Sequence, residues 1–300
     1  MNVILYYDGS IYSRMATYMV KALQLSSKTN VTITNVIPEH ALIRGIYMHI
    51  CLREALYRRN LREEQYKKAL DMLREPLTSI RVSGLRAEGA ALWGHTSDMI
   101  IKMARDKDAT LIVIGARGIT DDTSTKLGNT AAKVMTRAQA SVLLVKKECR
   151  VLNRVLLAVD GSKYSVRAIQ LLLDLPLPKR CQVIVLTALK SHVPALVTMP
   201  TLNMELNQNL MDRLRASEEE DDRITLLQTR DRFHSAGYKT AIDIMRGATA
   251  DSILSAAERH NPDIIVVGAR GANGFGSFSP GSVAEKVSIC SDTSVLVCKT

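Results

Sequence analysis

Residues 154–175 read RVLLAVDGSKYSVRAIQLLLDL, and residues 2–23 read NVILYYDGSIYSRMATYMVKAL. Each opens on an apolar run of strand length, breaks at Asp-Gly-Ser, and continues with apolar residues at helical spacing. Asp8 and Asp160 correspond at an offset of 152. The likeness extends outward from there. ATLIVIGARG (109–118) matches PDIIVVGARG (262–271), and SVLLVKK (141–147) matches SVLVCKT (294–300), both at an offset of 153. A near-constant offset over almost the whole length marks a duplicated domain. The boundary falls near Glu148–Asn153, giving repeat 1 over 1–149 and repeat 2 over 150–300.

Each repeat alternates strands and helices. Strands are expected at 3–7 and 154–159, at 31–37 and 181–189, and at 110–116 and 263–269. A third strand is expected near 79–82 in repeat 1 and at 238–245 in repeat 2, and final strands begin at Ser141 and Ser294. Long charged helical stretches span roughly 50–75 and 205–235, and shorter amphipathic helices span 95–107 and 248–260. Ser10 and Ser162 stand where helix N-caps belong. This order specifies an α/β fold, two tandem open parallel-sheet domains with helices on both faces. The runs IVIG and IVVG read as central strands buried on both sides.

Bulk composition excludes several classes. The 300 residues are 46% hydrophobic and 23% charged, ordinary for a globular protein. Aromatic residues make up only 4%, which disfavours nucleic-acid binding by base stacking. No apolar window reaches membrane-spanning length, and MNVILYYDGS has no basic n-region or signal-length apolar stretch, so a cytoplasmic location and no membrane partner are expected. Cys51, Cys149, Cys181, Cys290 and Cys298 form no CxxC pair and no zinc spacing, as expected of reduced thiols. The net charge of +10 is uneven, with +9 in residues 1–150 and +1 in 151–300. Much of the excess lies in 52–75. That stretch reads either as a surface for an anionic partner or as a solvated helix face, and the interleaved Glu54, Glu63, Glu64, Asp71 and Glu75 favour the second.

Ligands of open parallel sheets bind beyond the carboxyl ends of the strands, where strand order reverses. Asp8, Asp160 and two glycine-rich loops stand at such ends. In repeat 2 the loop reads Gly268-x2-Gly271-x9-Gly281-Ser282, between a strand and a helix. Glycines allow close backbone approach, a helix N-terminus attracts an anion, Ser282 offers a hydroxyl and Arg270 a charge. From 271 to 284 there is no acidic residue to repel a polyphosphate. The loop is neither a Walker A sequence nor a dinucleotide fingerprint. Repeat 1 reads Gly115-x2-Gly118-x9-Gly128-Asn129, with Asn in place of the terminal Ser and with Asp121 and Asp122 inside the loop.

These motifs together resemble the universal stress protein family, and the chain is similar to a tandem two-domain member of the ATP-binding type. The resemblance covers nearly the whole chain and rests on VLLAVDGS, DIIVVGARG, the Gly268/Gly271/Gly281-Ser282 spacing and the closing SVLVCK. It implies that Asp160 lines the adenosine side, that Ala188 sits by the adenine, and that Gly268, Gly271, Gly281, Ser282 and the main chain of Val283 hold ribose and phosphates. By the same resemblance Asp8, Gly115, Gly118, Gly128 and Asn129 form a degenerate counterpart. The cofactor implied is ATP, or ADP or AMP, with Mg²⁺. The resemblance also implies that the two final strands pair within the chain, and a homodimer of chains is compatible with it.

The function expected is that of an adenine-nucleotide-binding, stress-response regulatory protein with the nucleotide mainly in repeat 2. Two alternatives stand beside it: a slow Mg-dependent ATPase or nucleotidyl or phosphoryl transferase, and a scaffold engaging an anionic partner through repeat 1. No catalytic residue and no metal ligand set is identified, and no dedicated catalytic activity is expected. His95, His234 and His260 read as helix-end or surface residues, and Ser10 and Ser162 as caps rather than nucleophiles.

Overall fold

The computed structural model describes residues 1–38, 53–119, 126–189, 204–271 and 280–299. Repeat 1 runs β1 (Asn2–Tyr6), α1 (Ile11–Ala22), β2 (Asn30–Ile37), α2 (Arg53–Met72), α3 (Arg74–Val82), β3 (Arg86–Trp93), α4 (Thr96–Asp106), β4 (Leu111–Gly115), α5 (Asn129–Arg137) and β5 (Ser141–Val145). Repeat 2 follows with β6 (Arg154–Ala158), α6 (Lys163–Asp174), β7 (Gln182–Leu189), α7 (Met204–Ser235), β8 (Lys239–Arg246), α8 (Thr249–His260), β9 (Ile264–Gly268), α9 (Ser282–Cys290) and β10 (Ser294–Cys298).

The two repeats form one ten-stranded sheet in the order β3-β2-β1-β4-β5-β10-β9-β6-β7-β8. Every pairing within a repeat is parallel. The repeats meet antiparallel, with Val295 opposite Leu144, Leu296 opposite Leu143 and Val297 opposite Val142. The junction strands β5 and β10 are buried throughout, so two potential sheet edges are abolished against each other. One apolar layer packs α1, α3, α6 and α7 on one face of the sheet, and a second packs α4, α5, α8 and α9 on the other. Both layers run without interruption through the junction.

Polar contacts lock the junction symmetrically. Lys146, just past β5, donates its Nζ to the carbonyls of Ser288 (2.6 Å) and Ser291 at the C-terminal end of α9. Lys299, just past β10, donates to Ala138 (2.6 Å) and Thr136 (3.5 Å) at the end of α5. Each repeat's terminal lysine thus occupies the negative end of the other repeat's last helix. Burial brings both amines down to about 8.

One local expectation is overturned. Residues 79–82 are not a strand but the last turn of α3, and the third strand lies later, at Arg86–Trp93. Ile80 is wholly buried on that helix, which closes at Gly84 in the left-handed region at φ +85°. The true strand, RAEGAALW, contains no β-branched residue, so its strand signal is weak. Gly89 within it lets α3 approach, since a Cβ there would lie 2.9 Å from Leu77 Cδ1. The basic stretch of repeat 1 forms α2 and the start of α3, where Lys68 pairs with Glu64 at 2.6 Å and Arg74 with Asp71 at 2.9 Å on exposed faces. Among the described residues, no helix is long and apolar enough to cross a membrane.

Candidate functional site

In repeat 1, strand β1 has β2 on one side and β4 on the other; in repeat 2, β6 has β7 and β9. Strand order therefore reverses at the carboxyl ends of β1/β4 and β6/β9, which opens a crevice in each repeat.

The Asp-Gly-Ser turn builds one wall of each crevice. Asp8 Oδ1 accepts the Ser10 N–H and Asp160 Oδ1 accepts the Ser162 N–H, both at 3.0 Å. Gly9 and Gly161 take φ of +82° and +70°, which a side chain would strain. Ser10 and Ser162 then cap α1 and α6, accepting the N–H of Ser13 and Ser165 at 3.1 Å. The serines are caps, as their positions suggest, and the carboxylates are held by the turn. A second-strand side chain closes the wall from beside it. Asn35 Nδ2 donates to Tyr7 O at 2.8 Å in repeat 1, and Thr187 Oγ1 donates to Val159 O at 3.1 Å in repeat 2. The next residue in each strand is Val36 or Ala188; Ala188 is half-buried at the end of β7.

The glycines of repeat 2 have three different reasons. A Cβ on Gly268 would meet Tyr164 C at 2.9 Å and Ser165 N at 3.0 Å, so this glycine lets α6 sit on β9. A Cβ on Gly271 would lie 2.9 Å from Asp160 Oδ2, so the loop backbone passes directly against the carboxylate. Among the described residues, a Cβ on Gly281 would find nothing nearer than Arg270 Cα at 3.5 Å, an ordinary contact, so these residues leave room for a side chain there. Gly281 is the N-cap of α9, and its N–H donates to Ala269 O at 2.7 Å. The first intrahelical bond is Glu285 N–H to Gly281 O, so the helical ladder leaves the N–H groups of Ser282, Val283 and Ala284 without a backbone acceptor. Ser282 is exposed and Val283 half-buried on this turn. Arg270 is half-buried, with Nη1 3.4 Å from the Tyr164 hydroxyl. Asp160, Gly271, Arg270 and Gly281 are therefore close neighbours, with Ser282 next along the chain at the start of α9, while Gly268 faces α6.

In repeat 1 the crevice encloses a cavity of about 250 Å³. Asp8, Gly115 and Gly118 line it, together with Asn35, Thr96 and Arg117. Gly128 and Asn129 are the N-cap and first residue of α5 and are not among its lining, which takes Thr130 and Ala131 from that same turn. Asp121 and Asp122 lie outside the described residues. Thr96 and Thr130 escaped the sequence reading; the signal for Thr130 is a hydroxyl residue directly after Asn129. Arg117 stacks over Tyr12 with its guanidinium 5.1 Å from the ring centre.

Three histidines lie within the described residues, and none of them is among the residues lining the repeat 1 cavity. His95 caps α4 without a side-chain bond, His234 is exposed in the last turn of α7, and His260 Nε2 lies 2.7 Å from Asp243 Oδ2. Among the described residues, no group of three or more His, Cys, Asp or Glu gathers around a metal position.

The universal stress protein family model matches the chain twice, over residues 1–146 and 152–299. A universal stress protein of Bacillus subtilis is 28% identical over 149 residues, covering 48% of this chain and 97% of that protein. A universal stress protein of Synechocystis is 31% identical over 84 residues, covering 28% of this chain and 54% of that one. Among solved structures, a universal stress protein from Archaeoglobus fulgidus superposes with a TM-score of 0.66 at 21% identity, covering 99% of this chain and 98% of its own. At that identity the superposition shows the shared fold. The doubled family match, which takes in nearly the whole chain, shows that this chain belongs to the universal stress protein family, as a tandem pair of its domains.

Proposed function

We propose that this protein is a regulatory module of the stress response that binds an adenine nucleotide, chiefly in repeat 2. One observation carries the reading: Gly281 is a glycine that packing among the described residues does not require. Gly268 and Gly271 are explained by backbone and carboxylate contacts, but among the described residues a methyl on Gly281 would make only ordinary contacts, at 3.5 Å or more, beside the first turn of α9. A glycine where these residues leave room for a side chain is suited to something that comes close from outside. The N–H groups there and the helix dipole suit a phosphate. Asp160, held at the other wall, is placed to accept hydrogen bonds from a ribose. The names of the Bacillus relatives, a universal stress protein and a stress response protein, support the cellular setting.

In this reading the chain's own residues bind and orient. The first-turn N–H groups of α9 and the Ser282 hydroxyl receive phosphate oxygens, Arg270 adds charge, and Ala188 leaves space for a flat base beside β7. Mg²⁺ would be carried by the phosphates and the Ser282 hydroxyl. Mass spectrometry of small molecules released from the purified protein, with isothermal titration of Mg-ATP, tests the reading. Co-purified adenine nucleotide, or saturable binding at or below millimolar ATP, supports it; absence of both overturns it.

A further inference from the structure

The first turn of α6 carries a charge in the wrong place. Lys163 is its first residue, at the positive end of the dipole, and the turn has no acidic residue to compensate. Lys163 also does not stand alone. Its Nζ lies 5.3 Å from the centre of the Tyr164 ring, the Arg167 guanidinium 5.9 Å and the Arg270 guanidinium 5.8 Å. Three cations thus converge on one half-buried ring, and Arg270 lies close enough to the buried Lys299 for its charge to disfavour that ammonium. Among the described residues neither Lys163 nor Arg167 has an acidic partner: the polar contact of Lys163 is with the ring, and Arg167 otherwise donates to Lys299 O at 3.2 Å. Like charges gathered around one ring repel one another, and an anion that joined them would relieve that repulsion.

The cluster sits beside the proposed phosphate crevice. Arg270 is the residue between Ala269, which accepts the Gly281 N–H, and Gly271, which faces Asp160. Its carbonyl accepts the Ser162 hydroxyl at 3.3 Å, and its Cα lies 3.5 Å from where a Gly281 Cβ would be. Arg270 therefore spans from the N-terminus of α9 to that of α6. Repeat 1 supplies the contrast. It keeps the pair Tyr12 and Arg117, but at the positions of Lys163 and Arg167 it has Ile11, 56% exposed, and Met15.

We propose that Lys163, Arg167 and Arg270, gathered on Tyr164, hold the distal phosphates of a nucleotide polyphosphate, so that repeat 2 discriminates by phosphate chain length and repeat 1 does not. This rests on the nucleotide reading of repeat 2 and adds its selectivity. The α9 N-terminus takes the phosphates nearest the nucleoside, and the trio takes those beyond. Guanidinium groups engage phosphate oxygens in bidentate fashion, and the lysine acts as a point charge.

The test is isothermal titration of AMP, ADP, ATP and adenosine tetraphosphate into the full chain at fixed low ionic strength, in wild type and in Lys163→Gln/Arg167→Gln. Both side chains are exposed, so the fold should persist, as an unchanged unfolding temperature would show. If it falls, Lys163→Gln alone, which removes no hydrogen bond within the chain, replaces the double variant. The wild type should tighten with each added phosphate. The double variant should keep AMP affinity within about twofold while its ATP-to-AMP preference drops by at least about tenfold. If nucleotides bind but that preference is the same in both proteins, the chain-length reading is wrong and the nucleotide reading stands. If no adenine nucleotide binds the wild type, both fall.

Discussion

Gly281→Ala separates binding from folding more cleanly than any other change at the crevice. The added Cβ would lie 3.5 Å from Arg270 Cα, 3.6 Å from Ala269 O and 4.0 Å from Gly271 N, all ordinary contacts. The backbone is at φ −71° and ψ 161°, which alanine adopts freely. The fold then loses only the difference between glycine and alanine as an N-cap, about 0.5–1 kcal/mol. With an unfolding entropy of about 2.1 cal/mol/K per residue over the 300-residue chain, that shifts the midpoint by roughly 1–2 °C. A phosphate seated on the first turn of α9 would meet the same methyl at close range, and overpacking of that kind costs about 1–3 kcal/mol, or roughly fivefold to 150-fold in affinity. The assay is titration of ATP into both proteins beside their thermal unfolding curves. ATP affinity unchanged within about twofold, with the midpoint preserved, would refute a phosphate at this turn. A midpoint lower by more than about 5 °C would refute the claim that the fold has room there.

Three further outcomes follow from the packing and the titrations. Gly268→Ala should cost about 1–3 kcal/mol in urea unfolding without any ligand, because its Cβ would press on the Tyr164 and Ser165 backbone at 2.9–3.0 Å; a neutral effect would show that α6 moves freely. Lys146 and Lys299 have folded values near 8, below the ordinary 10.5, so the unfolded chain binds more protons above pH 8 and each lysine's contribution to stability rises between about pH 8 and 10.5. Urea unfolding at pH 7 and 9.5 should therefore show the wild type gaining on Lys146→Met/Lys299→Met, and a gap that is constant or shrinking would contradict this. Burial raises the Cys149 thiol to about 11 and the Cys181 thiol to about 12, and holds Cys298 higher still, whereas Cys290 is exposed. Iodoacetamide at pH 8 should modify Cys290 long before these three in the folded protein, as peptide mass spectrometry would reveal, since the thiolate is the nucleophile.

Local and periodic features were legible in the chain. The Asp-Gly-Ser turn is a three-residue device whose aspartate, left-handed glycine and serine cap act on their own neighbours, so reading it twice fixed both crevice walls. The apolar runs IVIG and IVVG announced central strands because burial on both faces demands unbroken hydrophobicity. The spacing of Gly268, Gly271 and Gly281 was visible too, but not that the three serve different neighbours. Residues 79–82 misled because β3 has alanine and glycine where strands usually show β-branched residues, and because α3 looks strand-like over so short a window.

Sequence alone determined the duplication, the alternation of strands and helices, and the positions where the backbone must turn, because each depends on residues close together in the chain. Only the tertiary structure decided what joins across long separations. It set the antiparallel register of β5 on β10, the exchange of Lys146 and Lys299 between the two last helices, and the gathering of Lys163, Arg167 and Arg270 on one tyrosine. Lys163 and Arg167 are near Tyr164 in the chain, but Arg270, the β5–β10 pairing and the exchanged lysines each join residues about a hundred or more positions apart, and no local periodicity records which distant strand end or helix terminus a side chain will meet.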